Sequence, residues 1–214
     1  MPATAWPLFC WRAPVFALQC GELPGGSPMP DVCPWWVGHL MASSFRRWWQ
    51  NPHTILSPYV SAGMTVLEPG PAMGFFTLDL ARLVGPSGRV VAVDLQERML
   101  AALRRRAAKA GVLEQIETRC VTTESLGVAD LAGRVDLLLA FYMVHELPDA
   151  GRFFAEAHTV LKPGGRILFV EPKHHVPADA FAASIQQAEA QGFTADGELA
   201  VRFSRGVILK KSRA

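Results

Sequence analysis

The sequence has few cysteines, few tyrosines and almost no net charge. Its four cysteines, Cys10, Cys20, Cys33 and Cys120, are scattered and never spaced Cys-x-x-Cys. That argues against a disulfide framework or a zinc knuckle and favours a reducing, cytoplasmic setting. The formal charge is +2, from 21 Lys and Arg against 19 Asp and Glu. Such a balance leaves no basic excess to grip a phosphate backbone or an anionic bilayer, so nucleic acid is disfavoured as a partner and a small molecule is expected. The apolar opening, residues 1–20, is broken by Pro7 and Pro14 and carries Arg12 in its middle. Neither a signal peptide nor a stable membrane insertion is expected there, and no other stretch is long and apolar enough to span a bilayer. Two nucleotide signatures are missing as well. No Gly-Lys-Ser/Thr phosphate loop occurs, and a G-x-G-x-x-G fingerprint begun at Gly70 would need a glycine where Phe75 stands. A nicotinamide or flavin oxidoreductase is thereby disfavoured.

What is present is apolar and periodic. Half of the 214 residues are hydrophobic and 19% are charged, enough for one full core in one domain. Residues 1–34, crowded with proline and glycine from Pro24 to Pro34, read as a flexible leader. Residues 35–54 read as an aromatic-rich helical segment, with Trp35, Trp36, Trp48 and Trp49 needing apolar cover. A lid over a pocket, a helix on the sheet edge and a homodimer contact are the alternatives for it, and Arg46 and Arg47 within it are expected to face solvent. Pro52 stops this helix or begins a turn.

Residues 55–214 read as the domain proper. Short apolar runs at 65–68, 90–94, 135–140 and 167–171, with a weaker one at 116–121, are strands of the kind buried on both faces. Helical stretches at 75–84, 96–110 and 152–160 alternate with them, the second with Arg104 to Arg106 turned outward. LKPGG, residues 161–165, reads as a helix-to-strand turn; a helix at 179–191 and strands from Phe193 and at 205–211 close the chain. The alternation predicts a doubly wound α/β fold, a mostly parallel sheet with helices on both faces. Ligands in such a fold sit at the carboxyl ends of the strands.

The first strand end reads VLEPGPAMGFFT, residues 66–77. Gly70, Ala72 and Gly74 let the backbone approach a ligand, and the helix start offers unpaired N–H groups; a plain strand-to-helix turn is the alternative. Asp94, at the end of the second strand, can accept both hydroxyls of a ribose or cap the next helix, and its position near solvent is expected to keep it ionised.

Glu68, Gly70, Ala72 and Gly74 in this order resemble the acidic-x-Gly-x-Gly-x-Gly motif of class I S-adenosylmethionine-dependent methyltransferases, with Ala72 in place of the middle glycine. The resemblance covers residues 55–211. It implies a Rossmann-like seven-stranded sheet with an antiparallel last strand, S-adenosylmethionine as cofactor and S-adenosylhomocysteine as product. It implies that Glu68 to Gly74, with Pro71 and Phe75, line the methionine part, and that Asp94 binds the ribose with Leu95 and Gln96 beside the adenosine. Thr123 and Glu124 stand in for the family's adenine contacts, because Thr122 occupies the usual acidic position. The fourth strand end then faces the reactive methyl. There Phe141 packs on the cofactor, Tyr142 orients an acceptor, and His145, with Glu146, is the candidate base; a histidine that only holds the loop is the alternative.

Glu171 is expected to bind an acceptor or pair with His174 or His175. These residues, His145 and Glu146 follow no zinc or calcium spacing, so no metal is expected. The fourth strand runs into AFYM, residues 140–143, where base and glutamine N-methyltransferases carry Asn/Asp-Pro-Pro-Tyr/Phe. That difference points to a small-molecule acceptor, and the Phe and Trp residues around the expected pocket, with Phe141 and Tyr142, make an apolar or aromatic metabolite the expected one. An RNA or protein methyltransferase, or a non-catalytic cofactor- or partner-binding module, are the alternatives.

Overall fold

The computed structural model describes residues 44–212; the expected leader, Trp35, Trp36 and the rest of residues 1–43 lie outside the described residues. Seven strands form one sheet in the order β3-β2-β1-β4-β5-β7-β6. They are β1 (Thr65–Pro69), β2 (Arg89–Asp94), β3 (Ile116–Cys120), β4 (Val135–Phe141), β5 (Leu161–Pro172), β6 (Phe193–Glu198) and β7 (Ser204–Lys211). Strands β1 to β5 run parallel, while β7 is antiparallel to both β5 and β6. The helices are α1 (Pro52–Leu56), α2 (Thr77–Val84), α3 (Glu97–Lys109), α4 (Ala150–Val160) and α5 (Ala178–Ala190).

Parallel neighbours force crossover helices, and those helices bury both sheet faces. Successive strand residues accordingly enter different cores. Val66 and Ala92 join Leu80, Leu100 and Leu103 on one face, whereas Leu67, Val91 and Val93 join Phe154, Phe169 and Phe181 on the other. Strand order reverses at β1, which has β2 on one side and β4 on the other. Such a switch point opens a crevice at the carboxyl ends.

Three expectations need correction. Pro52 neither stops a helix nor only turns the chain; it sits at the first position of α1, behind the Asn51 cap whose Oδ1 accepts from His53 N at 3.1 Å, where the missing proline N–H costs nothing. LKPGG belongs to β5. Val135 pairs with Leu161 and Leu137 with Arg166, so the intervening residues bulge out of register. Asp136 pins the bulge, accepting from Lys162 Nζ at 2.5 Å through Oδ1 and from Thr65 N at 2.9 Å through Oδ2. Arg106 turns back rather than outward and donates to the Met73 carbonyl in the turn after β1.

Gly74 shows why that turn needs α3 beneath it. Its φ is +82°, and a Cβ there would lie 2.3 Å from Leu103 Cδ1, a fully buried side chain. Gly74→Ala should therefore cost about 2 kcal/mol and lower the melting temperature by roughly 4–8 °C. Gly85→Ala, also at positive φ (+65°) but with nothing within 4 Å, should cost about half as much in the same thermal melt.

Candidate active site

The carboxyl ends of β1, β2 and β4 and the loop after β3 surround one cavity of about 340 Å³, a volume suited to a small-molecule ligand. The turn after β1 forms one wall. Gly70 has φ +67°, the left-handed conformation that favours glycine, and a Cβ there would come into van der Waals contact, 3.4 Å, with Met143 Cβ at the β4 end. Pro71, Ala72 and Phe75 also face the cavity, whereas Gly74 lies behind them and serves packing. Ala72 holds φ +49°, a left-handed conformation that costs an alanine about 1 kcal/mol.

Glu68 lies on the same wall, 4% exposed. Its carboxyl is lifted to about 7 by burial, against the nearby Thr77 hydroxyl and with a further push from Asp94. Neither Glu68 Oε2 nor Thr77 Oγ1 completes a hydrogen bond among the described residues. An unpartnered buried acceptor facing a cavity is expensive unless a ligand donor meets it.

Asp94 stays ionised at neutral pH, as expected, but it is half-buried rather than freely solvated, and burial raises it to about 6 although the backbone N–H groups of Gln96, Ala72 and Leu95 pull the other way. Its Oδ1 accepts from Gln96 N at 2.8 Å, so Asp94 caps the entry to α3 while lining the cavity with Leu95 and Gln96. Thr123 and Glu124 line the loop after β3, and the Glu124 carboxylate meets Arg152 at 3.5 Å. Glu156 holds this loop, accepting from Ser125 Oγ at 3.0 Å and Leu126 N at 2.8 Å.

At the β4 end the structure separates the three candidate catalytic residues. Phe141 and Tyr142 line the cavity, but the Tyr142 hydroxyl is engaged within the protein. It accepts from Gln50 Nε2 at 2.6 Å and lies 2.5 Å from Ser204 Oγ. His145 stands outside the cavity lining, its Nδ1 2.6 Å from Glu171 Oε2 and its backbone N–H donating to Glu171 Oε1 at 3.1 Å. Burial lowers its basicity, but the Glu171 carboxylate more than offsets this and leaves its pKa raised. Glu146 is the member of this turn on the cavity wall. Although that residue is exposed overall, desolvation at its carboxyl, reinforced by Glu171 and Asp94 and opposed by His145, raises it to about 7. Glu171 thus pairs with His145 rather than with His174 or His175, and among the described residues no group of His, Cys, Asp or Glu is arranged to hold a metal ion.

Arg46 does not turn to solvent, and Arg47 does so only in part. Arg47 reaches Asp79 of α2 through two hydrogen bonds of 2.8 and 3.1 Å. Arg46 is 8% exposed and lines the cavity, with Phe75 4.4 Å from its guanidinium carbon and Phe76, Phe141 and Tyr142 within 5.6 Å. In the described part of the expected aromatic lid, an arginine meets the cavity, and Trp48 is exposed. Sequence reasoning put Arg46 in solvent and did not find its place on the cavity wall. Met99, also on the cavity wall, was readable from its place on the inward side of α3.

A family model described as a methyltransferase domain matches residues 67–169, the span that supplies β1 to β5 and most of the cavity. Over that span the chain is similar to a methyltransferase domain. The ubiquinone/menaquinone biosynthesis C-methyltransferase UbiE of Marinomonas sp. (strain MWYL1) is 31% identical over 135 residues, covering 63% of this chain and 53% of that protein. The Escherichia coli O1:K1 / APEC UbiE is 32% identical over the same shares. The chain thus spans about half the length of the curated relatives it matches. A SAM-dependent methyltransferase from Aquifex aeolicus shares the fold, with a TM-score of 0.74 at 22% identity over 84% of this chain and 99% of that one.

The cavity has features that fit S-adenosylmethionine, the cofactor that the sequence resemblance implies. Glu68 Oε2 supplies an unmet acceptor for a cationic donor, Gly70 leaves the backbone approachable, and Asp94 offers a carboxylate at the next strand end. The raised carboxyls also fix a pH dependence for the ligand-free protein. In the unfolded chain Glu68 ionises near 4.3, while in the folded state it keeps its proton until about 7. The folded state therefore binds more protons between these values, and stability falls as pH rises across them. Thermal or urea denaturation should show Glu68→Gln losing roughly 2 kcal/mol less stability than wild type between pH 5 and 7.5. Identical pH profiles would mean that Glu68 is not desolvated.

Proposed function

We propose that this chain is an S-adenosylmethionine-dependent methyltransferase that acts on a small, apolar or aromatic acceptor. The observation that carries the reading is the pair of enclosed carboxyl groups, Glu68 and Asp94, on adjacent strand ends around one cavity walled by a glycine turn. The relatives' printed activity, C-methylation in ubiquinone/menaquinone biosynthesis, supports a small-molecule acceptor. No described helix is long and apolar enough to cross a membrane.

When bound, the cofactor supplies an electrophilic methyl on a sulfonium and leaves as S-adenosylhomocysteine. The protein's part is alignment and desolvation. Glu68 would face the ammonium of the methionyl end, Asp94 would accept from the ribose hydroxyls, and Phe141, Met143 and Leu147, which line the cavity, would give the reacting end an apolar wall. Glu146 takes the acceptor's proton where the acceptor arrives protonated, because its carboxyl is on the wall and half ionised near neutrality. His145, held by Glu171, positions the turn that carries Glu146. Residues 55–214 form the catalytic domain in this reading, and the segment before it covers the cavity.

Calorimetric titration with S-adenosylmethionine and S-adenosylhomocysteine, with NAD as control, tests the cofactor assignment. Binding of the first two is expected, and Asp94→Ala should weaken it by about 1.5–3 kcal/mol, some 10- to 100-fold. A folded wild-type protein that binds neither ligand would refute the assignment. In turnover assays with an identified acceptor, Glu146→Gln should lower kcat by about 10²-fold with cofactor affinity retained. A larger loss in His145→Ala than in Glu146→Gln would return the role of base to His145.

A further inference from the structure

Among the described residues two large hydrophobic side chains stand in solvent, Trp48 at 85% exposure and Phe203 at 60%. Phe203 is the more informative. It is third in the tight turn of residues 201–204, closed by Ser204 N donating to the Val201 carbonyl at 3.1 Å, and it holds φ +61°. Glycine adopts that conformation freely, whereas a bulky side chain is strained in it, and an exposed ring adds the cost of hydrating apolar surface. Stability alone would not place phenylalanine there, and a strained, exposed aromatic at a loop tip marks a contact surface.

The groups around it are cationic. The guanidinium carbon of Arg202 lies 4.7 Å from the Phe203 ring centroid. Lys173, in the turn after β5, donates its backbone N–H to the Phe203 carbonyl at 3.0 Å. Arg205 ties the two turns together, donating to the Lys173 and Val176 carbonyls at 3.3 and 2.7 Å. Residues 172–177 and 199–205 contain no Asp or Glu, and Lys173, Arg202 and Arg205 enter no salt bridge among the described residues. The near-neutral charge of the whole chain, +2, conceals this local gathering. Gln50, two residues after Trp48, donates to the Arg202 carbonyl at 3.4 Å and to the Tyr142 hydroxyl, which also bonds Ser204. Because Tyr142 lines the cavity, the patch borders that cavity.

An exposed ring with cations at its foot suits the boundary between anionic headgroups and acyl chains, where the ring enters and the cations stay with the phosphates. Single-stranded nucleic acid suits it less, because its binders line a groove with charge and rings along several nucleotides, whereas these groups occupy two turns. We propose that the turns at 172–177 and 199–205 dock this protein reversibly on an anionic lipid surface, with Phe203 inserted and Lys173, Arg202 and Arg205 against the headgroup phosphates. Docking of this kind is peripheral and sets the cavity beside the lipid boundary. It does not depend on the cofactor reading.

Co-sedimentation of the full chain with vesicles tests it. At low salt, vesicles of phosphatidylcholine with about a third phosphatidylglycerol should bind roughly tenfold more tightly than phosphatidylcholine alone, and raising the ionic strength should erode that preference. Lys173→Gln combined with Arg202→Gln should weaken binding about 25-fold, near fivefold for each charge removed. Phe203→Gly should weaken it about tenfold while melting no lower than wild type, because it relieves the positive φ. Binding that survives these substitutions or ignores salt overturns the proposal, as does a folded wild type that binds neither vesicle. An oligonucleotide bound where vesicles are not, or a dimer in lipid-free solution that Phe203→Gly dissociates, assigns the patch to that partner and overturns lipid as its occupant.

Discussion

Glu68 and Asp94 end adjacent parallel strands in a place where water reaches neither freely, and much of the site follows from that. Parallel strands need helices over both faces, so their ends meet in a crevice walled by protein on three sides. A carboxylate placed there loses hydration and climbs toward neutrality, to about 7 for Glu68 and about 6 for Asp94. Stability alone would select an apolar residue at such a position. Holding an acid there instead prepares the cavity for cationic and hydroxyl-rich ligand groups, and the cost of desolvation is returned when such a ligand binds.

The supporting structure maintains this placement. The turn after β1 is fixed from below by Leu103 and Arg106 of α3 and from the side by Met143 at the end of β4. The segment before the sheet is fixed by Arg47 on Asp79 and by Gln50 on Tyr142. Tyr142 itself has φ +61°, a strained conformation held by bonds to two other elements, which suits a residue that joins the cover to the sheet. The cavity is thus bounded by groups whose positions depend on contacts far apart in sequence.

That distribution explains what the sequence made legible. Strands buried on both faces read as short apolar runs, so β1, β2 and β4 were found within a residue or two of their ends, and Glu68, Gly70 and Asp94, picked out at those ends, lie on the cavity wall. Local spacing contained no signal for Arg46. An arginine between tryptophans reads as a solvated charge until four aromatic rings from two other loops are brought around it. His145 and Glu146 are adjacent in a tight turn where successive side chains point about 120° apart, so composition alone could not tell which one faces the cavity. LKPGG read as a turn because proline and glycines usually punctuate; here Asp136 and Lys162 draw them into a bulged strand.

The central claim is that desolvated, partly protonated carboxyls receive the cofactor's polar groups in their ionised form. Calorimetric titration of S-adenosylmethionine at pH 6.5 in buffers of differing ionisation enthalpy measures it directly, because the buffer-dependent heat counts protons. The account predicts a net release of roughly half to one proton per cofactor bound, diminishing in Glu68→Gln. Binding with no proton release, or with proton uptake, would contradict it.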